Sequence, residues 1–323
     1  MLWPVSLIFG LLVHLRRWLY RRRIFRSTRV GVPVVVVGNV IAGGAGKTPV
    51  VMALAEHFHK RGIKVGILSR GYGRTGTGCI EVDLQTPASV AGDEAALLKQ
   101  ATRAPVFVAS QRVEAASALL AAYPATRLLL CDDGLQHYAL TRDVEIAVFD
   151  DRGAGNGWLL PAGPLREPWP ARLHDGVDFV VHTGSQPAFP GYSAARRLAD
   201  HAVAPGGSRV PLSSLKGQRI TALAGIANPR KFFEMLEAAG LEPELAIGLP
   251  DHYDFAGFKP PAGEHTIFLC TTKDAMKLFG HPAMANRRVL AVPLETELEP
   301  AFFAALDALL APLLSQLPSG NGH

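Results

Sequence analysis

Gly43-Gly44-Ala45-Gly46-Lys47-Thr48 stands between an all-apolar run, Val34 to Val37 after Pro33, and a stretch with Val51, Leu54, Ala55 and Phe58 on one helical face. A glycine-rich turn between a buried strand and a helix lets backbone N–H groups converge on phosphate oxygens, and the helix N-terminus adds its positive dipole end. Lys47 can reach the outer phosphates and the Thr48 hydroxyl can bind Mg²⁺. The bland alternative is a glycine-rich turn with no ligand, but the strand before and the helix after favour a nucleoside triphosphate held along Ile41, Ala42, Gly43, Gly44, Ala45, Gly46, Lys47 and Thr48. Ile41 occupies the place of the first glycine in G-x-x-x-x-G-K-[ST], so the turn must start without the freedom glycine gives. Pro49 sits in the first turn of the helix and Gly62 ends it.

Outward from this loop, short apolar strands alternate with helical patterns: Val32 to Val37, Lys64 to Leu68, Val106 to Ala109, Leu128 to Cys131, Glu145 to Phe149 and Asp178 to His182. The alternation predicts an α/β fold of the P-loop NTPase kind, a mostly parallel sheet with helices on both faces. From Gln186 to Leu212 the composition shifts to Pro, Gly, Ser and basic residues, and a second α/β run starts at Arg219 to Ala224. In it, Asn228 can cap a helix with Pro229 at its first position. Strands at Thr266 to Cys270 and Val289 to Val292 and an apolar helix from Ala301 to Leu314 complete a smaller α/β/α domain. The expected organisation is an N-terminal amphipathic helix over 1–29, a nucleotide-binding domain over 30–190, a linker over 191–214 and a C-terminal domain over 215–323.

The chain has 323 residues, 48% of them hydrophobic and 19% charged, which is globular composition. Its net charge is +5, and Arg16, Arg17, Arg21, Arg22, Arg23, Arg26 and Arg29 alone contribute seven positive charges, leaving the remainder at −2. A nucleic-acid binder would spread its basic residues over a folded face, so no nucleic-acid partner is expected. Trp3, Leu7, Ile8, Leu11, Leu12 and Leu15 recur at near-helical spacing ahead of the arginine cluster. Spanning a bilayer takes about 20 apolar residues, and Pro4, His14 and Arg16 interrupt this run, so the segment reads as a helix lying on an anionic membrane surface. The alternative is a helix packed on the protein's own core. A signal peptide would have its basic residues first. Cys79, Cys131 and Cys270 form no C-x-x-C pair, which suggests neither a zinc site nor a disulfide framework and fits a reducing compartment.

Asp132 and Asp133 follow the run Leu128 to Cys131 at the C-terminal end of a strand, where open α/β sheets bind ligands. They can serve a turn with Gly134, or, beside a phosphate loop, Mg²⁺. Asp93, in Gly92-Asp93-Glu94, reads as a helix N-cap or as a catalytic carboxylate. Arg70-Gly71-Tyr72-Gly73-Arg74 is a turn or an anion-contacting loop. His252 stands between acidic neighbours in Asp251-His252-Tyr253-Asp254, and Arg166 and Glu167 lie in a proline-bounded loop, Gly163 to Pro168.

Together these stretches resemble the tetraacyldisaccharide 4′-kinases of lipid A biosynthesis. VVVVGN-x-x-AGGAGKTP, SRGYG, AGDE, DDGLQHY, RDVEI, GNGWLLPAGPLRE, GIANPRKFF, DH and T-x-KDAMK occur in order from Val34 to Lys277. The resemblance implies transfer of the ATP γ-phosphate, with Mg²⁺, to the 4′-hydroxyl of an acylated glucosamine disaccharide 1-phosphate, giving lipid IVA. It also implies work at the anionic cytoplasmic face of the inner membrane as a peripheral protein. By the same resemblance Asp93 is the catalytic carboxylate and His252, on the other domain, its partner; Thr48, Asp132 and Asp133 hold Mg²⁺. Asn39, Arg70, Tyr72, Gln136, His137, Arg166 and Glu167 line the sugar chamber. Oligomeric state is not implied. Two departures from the family pattern are Ala95, where proline is usual, and Thr272, where glutamate is usual. A membrane-associated nucleotide switch or metal-delivery NTPase would share the loop and the Mg²⁺ site; it would need an N-K-x-D guanine motif, and the chain has none.

Overall fold

The computed structural model describes residues 2–169, 177–251, 253–261 and 266–317. They divide into two compact units, the first formed by the chain up to residue 195 and again from residue 297, the second by 196–296.

The first unit begins with α1 (Trp3–Arg21) and continues through β1 (Val34–Gly38), α2 (Lys47–Lys60), β2 (Val65–Ser69), β3 (Ile80–Val82), α3 (Ala88–Ala91), α4 (Asp93–Thr102), β4 (Val106–Val108), α5 (Arg112–Ala122), β5 (Leu128–Asp132), β6 (Val144–Phe149), β7 (Phe179–His182) and β8 (Tyr192–Leu198). With β15 (Leu294–Leu298) at one edge, the sheet order is β15-β8-β7-β6-β1-β5-β2-β4-β3. Strands β8 to β4 in that order pair in parallel, and β3 is antiparallel to β4. Every residue of β1, β2 and β5 is buried, as central parallel strands covered by helices on both faces must be, which is why they read as unbroken apolar runs. The register places Val34 opposite Leu129 and Val37 opposite Asp132, so the chain leaving β1 turns beside the acidic end of β5.

The second unit holds β9 (His201–Val203), β10 (Arg209–Pro211), β11 (Ile220–Ala224), α6 (Pro229–Ala238), β12 (Leu245–Gly248), β13 (Ile267–Thr271), α7 (Thr272–Leu278) and β14 (Arg288–Val292). Its sheet order is β10-β9-β14-β13-β11-β12, parallel from β12 to β14 with an antiparallel edge. Asn228 caps α6 by accepting the Lys231 N–H, with Pro229 first in the helix.

Two expectations are corrected. The span 191–214 is not a linker: it carries β8, β9 and β10. Their short, half-exposed sequences, such as Tyr192 to Leu198 with a single fully buried position, gave no strand period to read. The C-terminal helix α8 (Pro300–Ser315) belongs to the first unit, where Phe302 packs on Phe179 and Tyr192 and Phe303 stacks on His57 at 4.2 Å.

In α1 only Ser6 and Gly10 are buried. Ser6 Oγ donates to the Leu159 carbonyl at 2.7 Å, and a Cβ on Gly10 would come within 2.9 Å of Leu159. Trp3, Leu7, Ile8, Leu11, Leu12, Leu15 and Trp18 are all exposed, so the apolar face is not spent on the protein's own core. Among the described residues no helix is long and apolar enough to cross a membrane.

Candidate active site

The phosphate loop starts in an extended pairing. Ile41 is fully buried and bridges Leu165 in antiparallel fashion, while the Ala42 N–H donates to Pro164 O at 2.7 Å and the Arg166 N–H to Val40 O at 2.7 Å. A β-branched residue suits extended backbone, so the missing first glycine is no defect: positive φ begins only at Gly43 (91°) and recurs at Gly46 (80°), immediately before α2. The loop is thereby stitched to the segment that carries Arg166 and Glu167.

Lys47 opens α2 with its ammonium buried, 3.3 Å from Asn39 Oδ1 and 3.3 Å from Asp133 Oδ1. Asn39 also donates to Gly43 O at 3.0 Å, so both ends of its amide are engaged with the loop and its lysine. Arg166 Nη1 lies 3.3 Å from each Asp133 oxygen. Burial raises the Asp133 carboxyl, but Lys47 and Arg166 outweigh it and hold the group below its ordinary value. Asp133 adopts φ 49°, so its side chain is aimed by a turn rather than by the strand.

Asp132 differs. It is fully buried, its Oδ2 accepts from Thr48 Oγ1 at 3.5 Å, and its Oδ1 has no hydrogen-bond partner. Burial first, then the charge of Glu94, pushes it up to about 8 against the pull of Lys47. A buried carboxylate oxygen left open beside the loop threonine fits a hard cation. Among the described residues no three His, Cys, Asp or Glu side chains cluster as a metal cage, and Mg²⁺ needs none, since it takes one or two carboxylates and fills the rest with phosphate oxygens and water.

The titration has a consequence for stability. Asp132 is protonated in the metal-free folded state through the neutral range and ionised in the unfolded chain above about pH 4. The stability it contributes is complete below the unfolded value and is lost as pH rises through about 8. Asp132→Asn does not titrate, so in chelator its Tm gains on the native protein's Tm as pH goes from 4 to 8. Thermal melts across that range check this, and a constant difference would refute it.

Asp93 is the first residue of α4 and is buried, while the N-cap position belongs to Gly92 and no side chain caps that helix. The helix-cap alternative therefore gives way. Gly92 has φ 88°, and a Cβ there would fall 2.9 Å from backbone atoms of Gly71 and Tyr72; one on Gly71 would fall 2.8 Å from Ala91 O. The Arg70 to Arg74 turn is thus pressed directly on the Asp93 turn, with Arg70 and Tyr72 left exposed. Helix α4 packs on α2, and Glu94 stands close enough to Asp132 to raise it, which puts the start of α4 at the same strand ends as the phosphate loop.

Gln136 donates to Asn39 O at 3.2 Å and accepts at its backbone carbonyl from Arg16 of α1. Burial, then Arg112 and Arg70, lowers His137 to about 4, so it is a neutral donor or acceptor at physiological pH. The buried Glu167 accepts from Tyr138 Oη at 2.6 Å, and burial raises it. Arg16 and Arg142 stand over the Tyr138 ring at 5.7 and 5.1 Å. Sequence reasoning missed Tyr138, Arg142 and Arg112. Arg112 is fully buried and donates to Ala109 O at 2.9 Å and Asp132 O at 3.2 Å, yet in sequence it looks like any arginine opening a helix. His252 lies outside the described residues.

A parallel sheet with a glycine loop after β1, a buried lysine, and a threonine–aspartate pair at neighbouring strand ends defines a P-loop nucleotide-binding protein of the phosphotransfer class. The comparisons narrow the class. Residues 1–311 match the family model LpxK, tetraacyldisaccharide-1-P 4′-kinase. The tetraacyldisaccharide 4′-kinase of Polaromonas sp. (strain JS666 / ATCC BAA-500) is 60% identical over the whole chain and 96% of its own length, and that of Acidovorax sp. (strain JS42) 54% identical over the whole chain and 92% of its own. The crystal structure of LpxK from Aquifex aeolicus in complex with ATP superposes with a TM-score of 0.81 at 29% identity, covering 97% of this chain and 98% of that one. The chain belongs to the tetraacyldisaccharide 4′-kinase family and is an ATP-dependent lipid A 4′-kinase; the nucleotide-switch alternative is not favoured.

Proposed function

We propose that phosphate transfer to the 4′-hydroxyl of the acylated glucosamine disaccharide 1-phosphate runs on the first unit's loop, with Lys47 on the outer phosphates, Thr48 and Asp132 holding Mg²⁺, and Asp93 accepting the hydroxyl proton. The observation that carries this reading is the division of labour between adjacent carboxylates: Asp133 is already paired with Lys47 and Arg166, whereas Asp132 offers an open oxygen beside Thr48. The ATP in the related Aquifex aeolicus structure supports it. Bound Mg²⁺ would supply charge neutralisation on the phosphate oxygens.

A sugar hydroxyl is a weak nucleophile. Asp93 takes its proton as the oxygen bonds to the γ-phosphorus and the bond to ADP breaks, and Lys47, beside the loop, offsets the charge that moves onto the departing phosphate. Arg70, Tyr72, Gln136, His137 and Glu167 contact the headgroup, the exposed Arg70 and Tyr72 first. Purified protein should consume ATP only when the acylated disaccharide is supplied, and equal consumption without lipid would count against the reading. Defined acylated and deacylated disaccharides separate headgroup recognition from lipid dependence.

The exposed apolar face of α1 and its arginines support peripheral attachment to the anionic cytoplasmic face of the inner membrane. Burying several large side chains contributes about 1.5–3 kcal/mol each. Ile8→Glu with Leu11→Glu should therefore abolish co-sedimentation with phosphatidylglycerol-containing vesicles, and binding that survives both substitutions would exclude this face.

A further inference from the structure

Four consecutive peptide carbonyls of the phosphate loop each accept a side-chain donor. Ala42 O accepts Arg152 Nη1 at 3.2 Å, Gly43 O accepts Asn39 Nδ2 at 3.0 Å, Gly44 O accepts Arg152 Nη2 at 2.9 Å and Ala45 O accepts Thr183 Oγ1 at 2.8 Å. In a trans peptide the C=O and the next N–H point opposite ways. Fastening each carbonyl therefore fixes the direction of the N–H that follows it, those of Gly43, Gly44, Ala45 and Gly46, and these groups donate to no backbone carbonyl among the described residues.

Arg152 supplies two of the four donors. It sits in the turn after β6, where Asp150 grips the guanidinium, Nε lying 3.0 Å from both carboxylate oxygens and Nη2 2.8 Å from one. The fork is thus used on two edges, one to Asp150 and one across the loop. Gly43 permits the approach: a Cβ there would lie 3.3 Å from Arg152 Nη1. Because Ile41 is tied into extended pairing, the conformational freedom of the loop is confined to 42–46, where Arg152 holds the carbonyls of Ala42 and Gly44.

We propose that Arg152 is a positioning residue for the nucleotide, acting through the loop backbone by holding its carbonyls outward so that its N–H groups are pre-set for the triphosphate. This deepens the reading of residues 41–48 as the nucleotide site and rests on it. A lysine keeps the charge but cannot bridge two carbonyls and a carboxylate from one plane. The side chain is half exposed, so its loss costs little folding stability.

The test uses full-length protein and titrates a fluorescent ATP analogue with Mg²⁺ against native protein, Arg152→Ala, Arg152→Lys and Asp150→Asn, alongside KM for the lipid and Tm without nucleotide. Loss of two fixed carbonyls should weaken nucleotide binding about tenfold in both Arg152 variants. Asp150→Asn should shift it in the same direction by less, and lipid KM and Tm should stay near native values. Native affinity in Arg152→Ala, or full recovery in Arg152→Lys, would overturn the proposal, the second by showing that bulk charge suffices. So would a rise in lipid KM and a fall in Tm in step with the loss of nucleotide affinity. If Arg152→Ala does not fold, Arg152→Lys and Asp150→Asn carry the same measurement. No binding by the native protein would instead bring down the nucleotide-site reading itself.

Discussion

Lys47→Ala should lower phosphate transfer to the acylated disaccharide by about 10²–10³-fold or more, the range seen when one donor to developing transition-state charge is removed from a water-poor site. The ammonium is buried and held by two acceptors, Asn39 Oδ1 and Asp133 Oδ1, both at 3.3 Å, so it is pre-set before nucleotide arrives. Its removal does not strand a buried charge, since Arg166 remains 3.3 Å from Asp133. The variant should accordingly fold, with a small change in Tm and a large loss of turnover. Lys47→Arg should not rescue it, because a planar guanidinium spreads over several donors the charge that the ammonium concentrates at one point between Asn39 Oδ1 and Asp133 Oδ1. Steady-state transfer assays together with thermal melts make the check; near-native transfer by Lys47→Ala would mean that the loop grips phosphate without its lysine.

The parts of this site that were legible in the sequence are those made by local chain. A buried strand, closely spaced glycines and a lysine–threonine pair occupy fifteen consecutive residues from Val34 to Thr48, and their geometry is set within that stretch. Asp132 and Asp133 were legible as a pair but not as individuals. What separates them is a φ of 49° at Asp133 and a set of partners that come from Thr48, Glu94 and Arg166, none of them near in sequence. Arg152 and Thr183 were invisible for the same reason: each touches the loop from more than a hundred residues away. Ile41 looked like a fault because a glycine pattern describes conformation only on average; pairing with Leu165 replaces the turn that glycine would have made. Strands β8 to β10 escaped notice because short, half-exposed strands at or next to the sheet edges lack the unbroken apolar runs of a central buried strand. The helix α8 was found, but no property of an apolar helix tells which of two sheets it will cover.

Asp93→Asn should reduce kcat by about 10²–10⁴-fold, the contribution of a positioned general base, while nucleotide affinity stays near native. The two readings of this residue predict opposite patterns. Were its carboxylate chiefly a helix cap, removing it would weaken α4 and with it the α2 packing on which the phosphate loop stands, so nucleotide binding and Tm would decline together. The N-cap position is Gly92, however, and no side chain caps the helix, so amide replacement should leave α4 in place. The first-turn position does favour a negative charge, by about 0.3–1 kcal/mol at most, too little to account for a hundredfold kinetic effect through unfolding. Gly92 and Gly71 add a constraint from the other side: with each Cβ position blocked by the other's backbone turn, Asp93 has little freedom to find an alternative placement when its proton is needed. Single-turnover transfer measured beside nucleotide affinity and Tm separates base from bystander. A loss of nucleotide affinity that matches the loss of kcat would assign the proton to another group.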